Sequence, residues 1–156
     1  MIILKNFISK KLCQIFIKWH ETYWPQLDGD LIENHYNQQV INIHNIEKNE
    51  FKYIGAKLNY EIQKINNKHY VNYFQLTKWN TNCYASPHKD TGNNIWSSIL
   101  YLNDNFIGGE TIVNKKIVKP ETGKLIIFKG AKLSHSVNKI TKGVRYTIPC
   151  WYNLYK

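Results

Sequence analysis

Several large protein classes are excluded by what this chain lacks. It has only three cysteines, Cys13, Cys83 and Cys150. They are odd in number and far apart, so they form neither a disulfide framework nor a zinc pattern, and they suit a reducing compartment. No run of about 18 apolar residues occurs, which excludes a transmembrane helix. Met1-Ile2-Ile3-Leu4-Lys5 lacks the long apolar core and small-residue cleavage site of a secretory signal. These absences predict a cytoplasmic protein with no membrane partner. No repeat, linker or low-complexity stretch marks a second domain, so residues 1–156 are expected to form one domain. Arginine is nearly absent: among 21 Lys and Arg residues, only Arg145 is arginine.

Acidic residues are also few, 11 against those 21, leaving a formal net charge of +10. Such a balance suits an acidic partner, nucleic acid included. The lysines are scattered, however, and only Lys10-Lys11 and Lys115-Lys116 are adjacent. Lys, Asn, Ile and Tyr are abundant together, so the charge reads first as compositional. A hydrophobic content of 43% and an aromatic content of 14% exclude a disordered chain.

Two helices are predicted in the first half. Ser9 can cap one that runs to His20, with Leu12, Ile15, Phe16 and Trp19 on one face and Pro25 and Asp28-Gly29-Asp30 closing it. The other fits residues 46–66, with Phe51, Ile54, Leu58, Ile62 and Ile65 aligned. Between them, residues 24–44 read as irregular or as short strands, with one strand over 39–44. From Tyr70 the period changes to two. Strands are expected near 70–79, 83–88, 95–102, 110–113, 116–119, 124–129, 135–140 and 144–153, separated by Gly, Asn and Pro turns. Gly108-Gly109 reads as a turn or bulge that needs positive φ. Short strands with regular turns predict a sandwich or barrel. The fold class is therefore α+β, mainly β.

Within the β region lies His88-Lys89-Asp90. In an extended segment His88 and Asp90 share a face, bringing an imidazole and a carboxylate together. A third histidine would complete the 2-His-1-carboxylate triad that suits non-haem Fe(II). His135 is the candidate, because it follows the apolar stretch 125–128, whereas His20, His35, His44 and His69 precede the β region or fall on predicted helices and loops. Ten residues later comes Arg145, in an apolar aromatic strand. A single arginine retained where composition favours lysine suggests bidentate carboxylate binding, with an internal salt bridge as the alternative.

The ordered string His88-x-Asp90, Leu100-Tyr101-Leu102-Asn103, Gly108-Gly109-Glu110-Thr111, Pro120-x-x-Gly123, Ile127-Phe128, His135, Gly143-x-Arg145-Tyr146 and Trp151 resembles the prolyl 4-hydroxylase-like Fe(II)/2-oxoglutarate dioxygenases. The resemblance covers about half the chain, from Phe74 to Tyr152. It implies a double-stranded β-helix, a distorted jelly roll, over residues 70–156, buttressed by helices and short strands in 1–69. It implies iron ligands at His88, Asp90 and His135. It also implies that Arg145 pairs with the far carboxylate of 2-oxoglutarate, helped by the hydroxyls of Tyr101 and Thr111, and that Trp151 lines the pocket. One departure is Trp79, where the family usually has Tyr; an indole N–H donates a hydrogen bond but cannot accept one.

The implied reaction uses Fe(II), 2-oxoglutarate and O2, with ascorbate a further candidate. It hydroxylates an unactivated C–H bond while 2-oxoglutarate becomes succinate and CO2. The implied substrate is a prolyl residue of a peptide or protein, an acidic one suiting the positive charge. It would be held by residues 24–44, the turn after Trp79 and the turn near Asn93-Asn94. Two other readings stand beside this one: a nucleic-acid-modifying oxygenase on the same scaffold, and a non-catalytic jelly-roll binding module.

Overall fold

The computed structural model describes residues 1–27, 32–35, 38–91 and 95–155. Along the chain lie β1 (Ile2–Leu4), α1 (Lys10–Tyr23), β2 (Ile32–His35), β3 (Gln38–Ile41), α2 (Asn49–Ile65), β4 (His69–Phe74), β5 (Leu76–Trp79) and β6 (Ala85–His88). Then come β7 (Trp96–Tyr101), β8 (Thr111–Val113), β9 (Lys116–Val118), β10 (Leu125–Phe128), β11 (His135–Val137) and β12 (Arg145–Leu154). The larger sheet has the order β1-β10-β7-β12-β5-β3-β2, with β4 also paired to β12, and the smaller has the order β6-β11-β8-β9. All of these pairings are antiparallel.

The patterning of β12 shows why the sheets stack as they do. Tyr146, Ile148, Cys150 and Tyr152 face the helices, in a core with Phe16, Phe51, Ile54, Leu58 and Ile62. Pro149 and Trp151 face the other way, toward a cavity between the sheets. Strand β10 is buried on both faces: Leu125 and Ile127 join the helix-side core, while Ile126 and Phe128 join Tyr101, Val113 and Val118 in a smaller core between the sheets. Burying an aliphatic side chain contributes about 1.5–3 kcal/mol, so the two cores hold both helices and the smaller sheet to one scaffold.

Both helices match their sequence signals. Ser9 Oγ accepts from Leu12 N at 3.2 Å, and α1 continues past His20 to Tyr23. The buried face of α2 is Phe51, Ile54, Leu58 and Ile62, with Ile65 packed beside it.

Several boundaries differ from expectation: the strand expected over 135–140 ends at Val137, and the helix expected from 46 starts at Asn49. The predicted strand 70–79 is two strands broken at Gln75, where β12 carries Pro149, whose ring leaves no N–H for the ladder; Gln75 N donates instead to Pro149 O at 3.1 Å. The strand expected over 39–44 ends at Ile41 and gives way to a 3-10 turn over Ile43–Asn45. β1 is too short for its periodicity to show in the sequence. Gly108 and Gly109 adopt φ of 82° and 67°, as the turn reading required. The turn residues expected at 28–30 and 92–94 lie outside the described residues.

Candidate active site

The two sheets bring together residues that are remote in sequence. Pairing of β11 with β6 sets His135 opposite His88. Asp90 follows β6 and is fixed by its backbone N–H, which donates to Gly130 O at 3.1 Å. As a result, one ligand atom from each of His88, Asp90 and His135 lies within 4.8 Å of the others.

The second contacts of these side chains orient them for a cation. His88 Nδ1 lies 2.7 Å from Ser86 O, and His135 Nδ1 lies 3.0 Å from Leu133 O. Each carbonyl accepts an N–H, so the tautomer that leaves Nε2 with its lone pair is favoured, as in metal-bound histidines. Asp90 Oδ2 accepts from Ser97 Oγ, and Asp90 Oδ1 lies 3.5 Å from His135 Nε2.

Burial raises the Asp90 carboxyl, but hydrogen bonds from His135, Ser97 and Trp151 outweigh it and hold it below its ordinary value. Burial lowers His135, yet Asp90 and the Leu133 carbonyl bring its net shift upward. The pair therefore attracts a positive charge, and a divalent cation would displace a proton from it. Two neutral imidazoles and one carboxylate are a donor set suited to non-haem Fe(II).

Gly130 lets the carboxylate sit where it does. A Cβ there would lie 2.0 Å from Asp90 Oδ2 and 2.1 Å from Ser97 Oγ. No larger residue fits without displacing Asp90.

A second cluster surrounds Arg145. The guanidinium is buried (1% exposed), and none of the ion pairs among the described side chains involves it. The internal salt bridge weighed as an alternative is therefore not found there. Cζ of Arg145 lies 4.9 Å from the centre of the Trp79 ring and 5.5 Å from that of Tyr101. Its Nη2 donates to Thr111 Oγ1 at 3.3 Å, and Tyr101 Oη donates to the same oxygen at 2.7 Å. Arg145 Nε, Trp79 Nε1 and Thr77 Oγ1 are buried without a hydrogen-bond partner among the described residues. Burying an unpaired cation costs several kcal/mol. Unsatisfied polar atoms around it fit an anionic, oxygen-rich ligand.

A cavity of about 560 Å³ lies between the sheets. The three triad residues line it, as do Trp79, Thr77, Ser97 and Trp151, and Gln38, Val40, Asn42 and His44 form another wall. Arg145, Tyr101 and Thr111 are not among its described lining residues, and Arg145 meets the lining at the Trp79 ring. Register explains the link: Arg145 pairs with Trp79, and Thr147 pairs with both Thr77 and Tyr101. Trp151 stacks on Tyr73 at 4.5 Å.

Every candidate from the sequence thus falls in one of two adjoining clusters. The sequence did not reveal Ser97, Gly130, Thr77 or the wall made by β3 and the turn after it. An isolated glycine just past the end of a strand does signal close approach, so Gly130 was within reach. The other histidines with described side chains stand apart from the triad: His20 and His69 are buried elsewhere, and His44 lines the cavity wall.

The model of the 2OG-Fe(II) oxygenase superfamily matches residues 71–153. The chain belongs to that superfamily. Its match to human prolyl 3-hydroxylase 2 is 34% identical over 80 residues, covering 46% of this chain. The chain spans only 11% of that relative's length. Among solved structures, it resembles a viral collagen prolyl hydroxylase from Paramecium bursaria Chlorella virus-1 in its 2-oxoglutarate complex (TM-score 0.79, 16% identity, covering 99% of this chain and 96% of that one). It also resembles a Trichoplax adhaerens prolyl hydroxylase bound to a peptide fragment of the hypoxia inducible factor oxygen degradation domain (TM-score 0.78, 17% identity, covering 97% and 82%). These likenesses establish the fold, a double-stranded β-helix with helical buttresses. Membership implies Fe(II) and 2-oxoglutarate. Among the described residues, no helix is long and apolar enough to cross a membrane.

Proposed function

We propose that this chain is a prolyl hydroxylase that uses Fe(II), 2-oxoglutarate and O2 to hydroxylate a proline of a peptide or protein. The carrying observation is that the His88-Asp90-His135 cluster lines a cavity whose wall residue Trp79 lies over the guanidinium of Arg145, which is buried and has no ion-pair partner among the described side chains. His88, Asp90 and His135 would hold the iron through two Nε2 atoms and a carboxylate oxygen. Bound there, iron supplies the activation of dioxygen that couples decarboxylation of 2-oxoglutarate, to succinate and CO2, with insertion of oxygen into a C–H bond.

The residues divide the remaining work. Ser97 holds Asp90 through Oδ2, which keeps Oδ1 toward the histidines. Arg145 takes the far carboxylate of 2-oxoglutarate, with Thr111 and Tyr101 fixing its fork, and Trp79 supplies a ring face and an N–H donor. Trp151, with Tyr73 stacked behind it, gives the cavity an aromatic wall suited to a pyrrolidine ring. Apolar neighbours Ile99, Phe128 and Val137 exclude water from the site. Residues 1–69 support this machinery, and residues 70–156 carry it as one catalytic unit.

The prolyl substrate is supported by the names of the matched relatives, prolyl hydroxylases from several lineages. Among the described residues the cavity lining holds no lysine or arginine, so the nucleic-acid reading rests on the net charge alone. The test is a panel of proline-containing peptides incubated with Fe(II), 2-oxoglutarate, ascorbate and air, read by mass spectrometry. The expected product gains one oxygen, about 16 Da, on a proline. Succinate formation accompanied by oxygen on another residue or molecule would overturn the prolyl reading and leave the oxygenase class standing.

A further inference from the structure

Five of the lysines scattered along the sequence are brought together by the fold. His88, His135, Val113 and Lys116 form one row across the smaller sheet, β6-β11-β8-β9. Just beyond that row lie Lys89, the Asn114-Lys115 turn between β8 and β9, and the loop from Lys129 to Ser134. Backbone hydrogen bonds tie these segments to one another. Asn114 N donates to Ser134 O at 2.8 Å, Leu133 N to Lys129 O at 2.8 Å, and Asp90 N to Gly130 O at 3.1 Å. Lys89, Lys115, Lys116, Lys129 and Lys132 are thereby gathered at the end of the sheet that carries His88 and His135, and all five are exposed.

Elsewhere Lys5, Lys52, Lys64, Lys78 and Lys124 each form an ion pair with a glutamate, whereas none of the ion pairs among the described side chains involves these five. Asp90, the acidic residue in these segments, turns its carboxylate to Ser97 and His135. Gathered like charges repel one another, a cost that an acidic partner relieves. Lys115 adds a conformational cost. It holds φ at 69° after Asn114 at 47°, the paired positive values of a two-residue hairpin turn in which Asn-Gly is the favoured pair. A Cβ is strained there and glycine is not, so a charge stands where glycine is the more stable choice. No residue of 114–116 or 129–134 is aromatic, and the nearby Trp96 ring already carries the Lys129 ammonium at 5.4 Å. The surface thus offers ammonium groups without the stacking platforms that single-stranded nucleic acid uses, which favours the carboxylates of a polypeptide.

We infer that this end of the smaller sheet is a docking surface for an acidic stretch of the polypeptide substrate, set apart from the residues that meet the target proline. Its occupant rests on the prolyl hydroxylase reading. Lys89 stands between two members of the triad, so a stretch seated on the lysines keeps its own proline near the cavity. An exposed ion pair contributes about 1.5- to 5-fold in affinity, and several together give about tenfold at low salt.

The test compares two peptides of about 20 residues, each with one proline in neutral surroundings, one ending in a run of glutamates and the other in a run of glutamines. The expected result is a KM about tenfold lower for the glutamate peptide at low salt, with the advantage lost at high salt. Lys115→Gly and Lys132→Gln together lose most of that advantage. Lys115→Gly alone loses part of it while raising the melting temperature, a pairing that a purely structural lysine does not give. Lys10→Gln, on α1 beyond the larger sheet, keeps it. Equal KM values at low salt, or an advantage that survives the double substitution, overturn the docking surface and leave the prolyl reading intact. Fluorescence anisotropy of a labelled glutamate peptide, and of a labelled oligonucleotide of equal charge, reads the surface without catalysis. Tighter binding of the oligonucleotide, lost in the double variant, overturns the polypeptide occupant. If neither peptide is hydroxylated while 2-oxoglutarate is consumed, the prolyl reading fails. Lysine-dependent binding of the glutamate peptide then still supports the acidic docking surface, and its absence overturns that too.

Discussion

Replacing Arg145 separates a ligand anchor from a structural cation. Its guanidinium is buried, stacked near Trp79 and Tyr101, and hydrogen-bonded to Thr111 and Tyr101, with no ion-pair partner among the described side chains. Arg145→Lys keeps the charge but loses the planar fork. Hydrogen bonds to charged groups are worth about 1.5–3 kcal/mol each, so a loss of about 2–4 kcal/mol in 2-oxoglutarate binding is expected, about 30- to 1,000-fold in Kd. Arg145→Met removes the cation and fills similar space. Replacing a buried charge by a well-packed apolar residue is neutral or stabilising by about 1–4 kcal/mol. At about 2–4 °C per kcal/mol for a chain of this size, the ligand-free variant should melt at or above the wild-type temperature. Calorimetric titration of 2-oxoglutarate into anaerobic Mn(II)-loaded protein, paired with thermal melting of the ligand-free forms, reads both effects. If Arg145→Met bound 2-oxoglutarate within about threefold of wild type, or melted far below it, the cation would be holding the fold rather than waiting for a ligand.

Gly130→Ala should reduce metal affinity by at least about tenfold, because its Cβ would meet Asp90 Oδ2 at 2.0 Å; Co(II) titration followed by visible absorption checks this. Ser97→Ala frees Asp90 Oδ2 and should weaken the same titration by about 10- to 100-fold, with little change in melting temperature. Burial holds the His20 imidazole below its ordinary value of 6.5, so the unfolded chain takes up a proton there before the folded chain does. The stability His20 contributes is complete above that value and declines as pH falls below it, and His20→Phe should flatten the decline in urea midpoint between about pH 7 and about pH 5.

Much of the site was legible in the sequence because its chemistry depends on residue types that are rare in their surroundings. Arg145 stands alone among lysines, and His88 and Asp90 are two apart in a strand, so their shared face follows from the period. Tyr101 and Thr111 were reached by resemblance, and the structure joins them through one hydrogen bond at 2.7 Å.

What stayed hidden depends on contacts between distant strands. β3 borders β5 and so brings Gln38 beside Trp79, a pairing across 41 residues that no local pattern encodes. Ser97 looks like any polar residue of a strand until the fold sets it against Asp90. The break at Gln75 has its cause in Pro149, which lies on the partner strand rather than in the segment itself. Trp79 looked like a departure from the family's tyrosine. In the fold it is the ring under the guanidinium of Arg145, and its N–H has no partner among the described residues.

The most direct test of the proposed iron site compares wild type with His135→Ala and Asp90→Ala for Fe(II) content and succinate formation. Proteins are loaded anaerobically and then exposed to air with 2-oxoglutarate and a proline peptide. The account predicts about one Fe(II) per wild-type chain with succinate formed, and both lost in each variant. Consumption of 2-oxoglutarate by His135→Ala at the wild-type rate would contradict it.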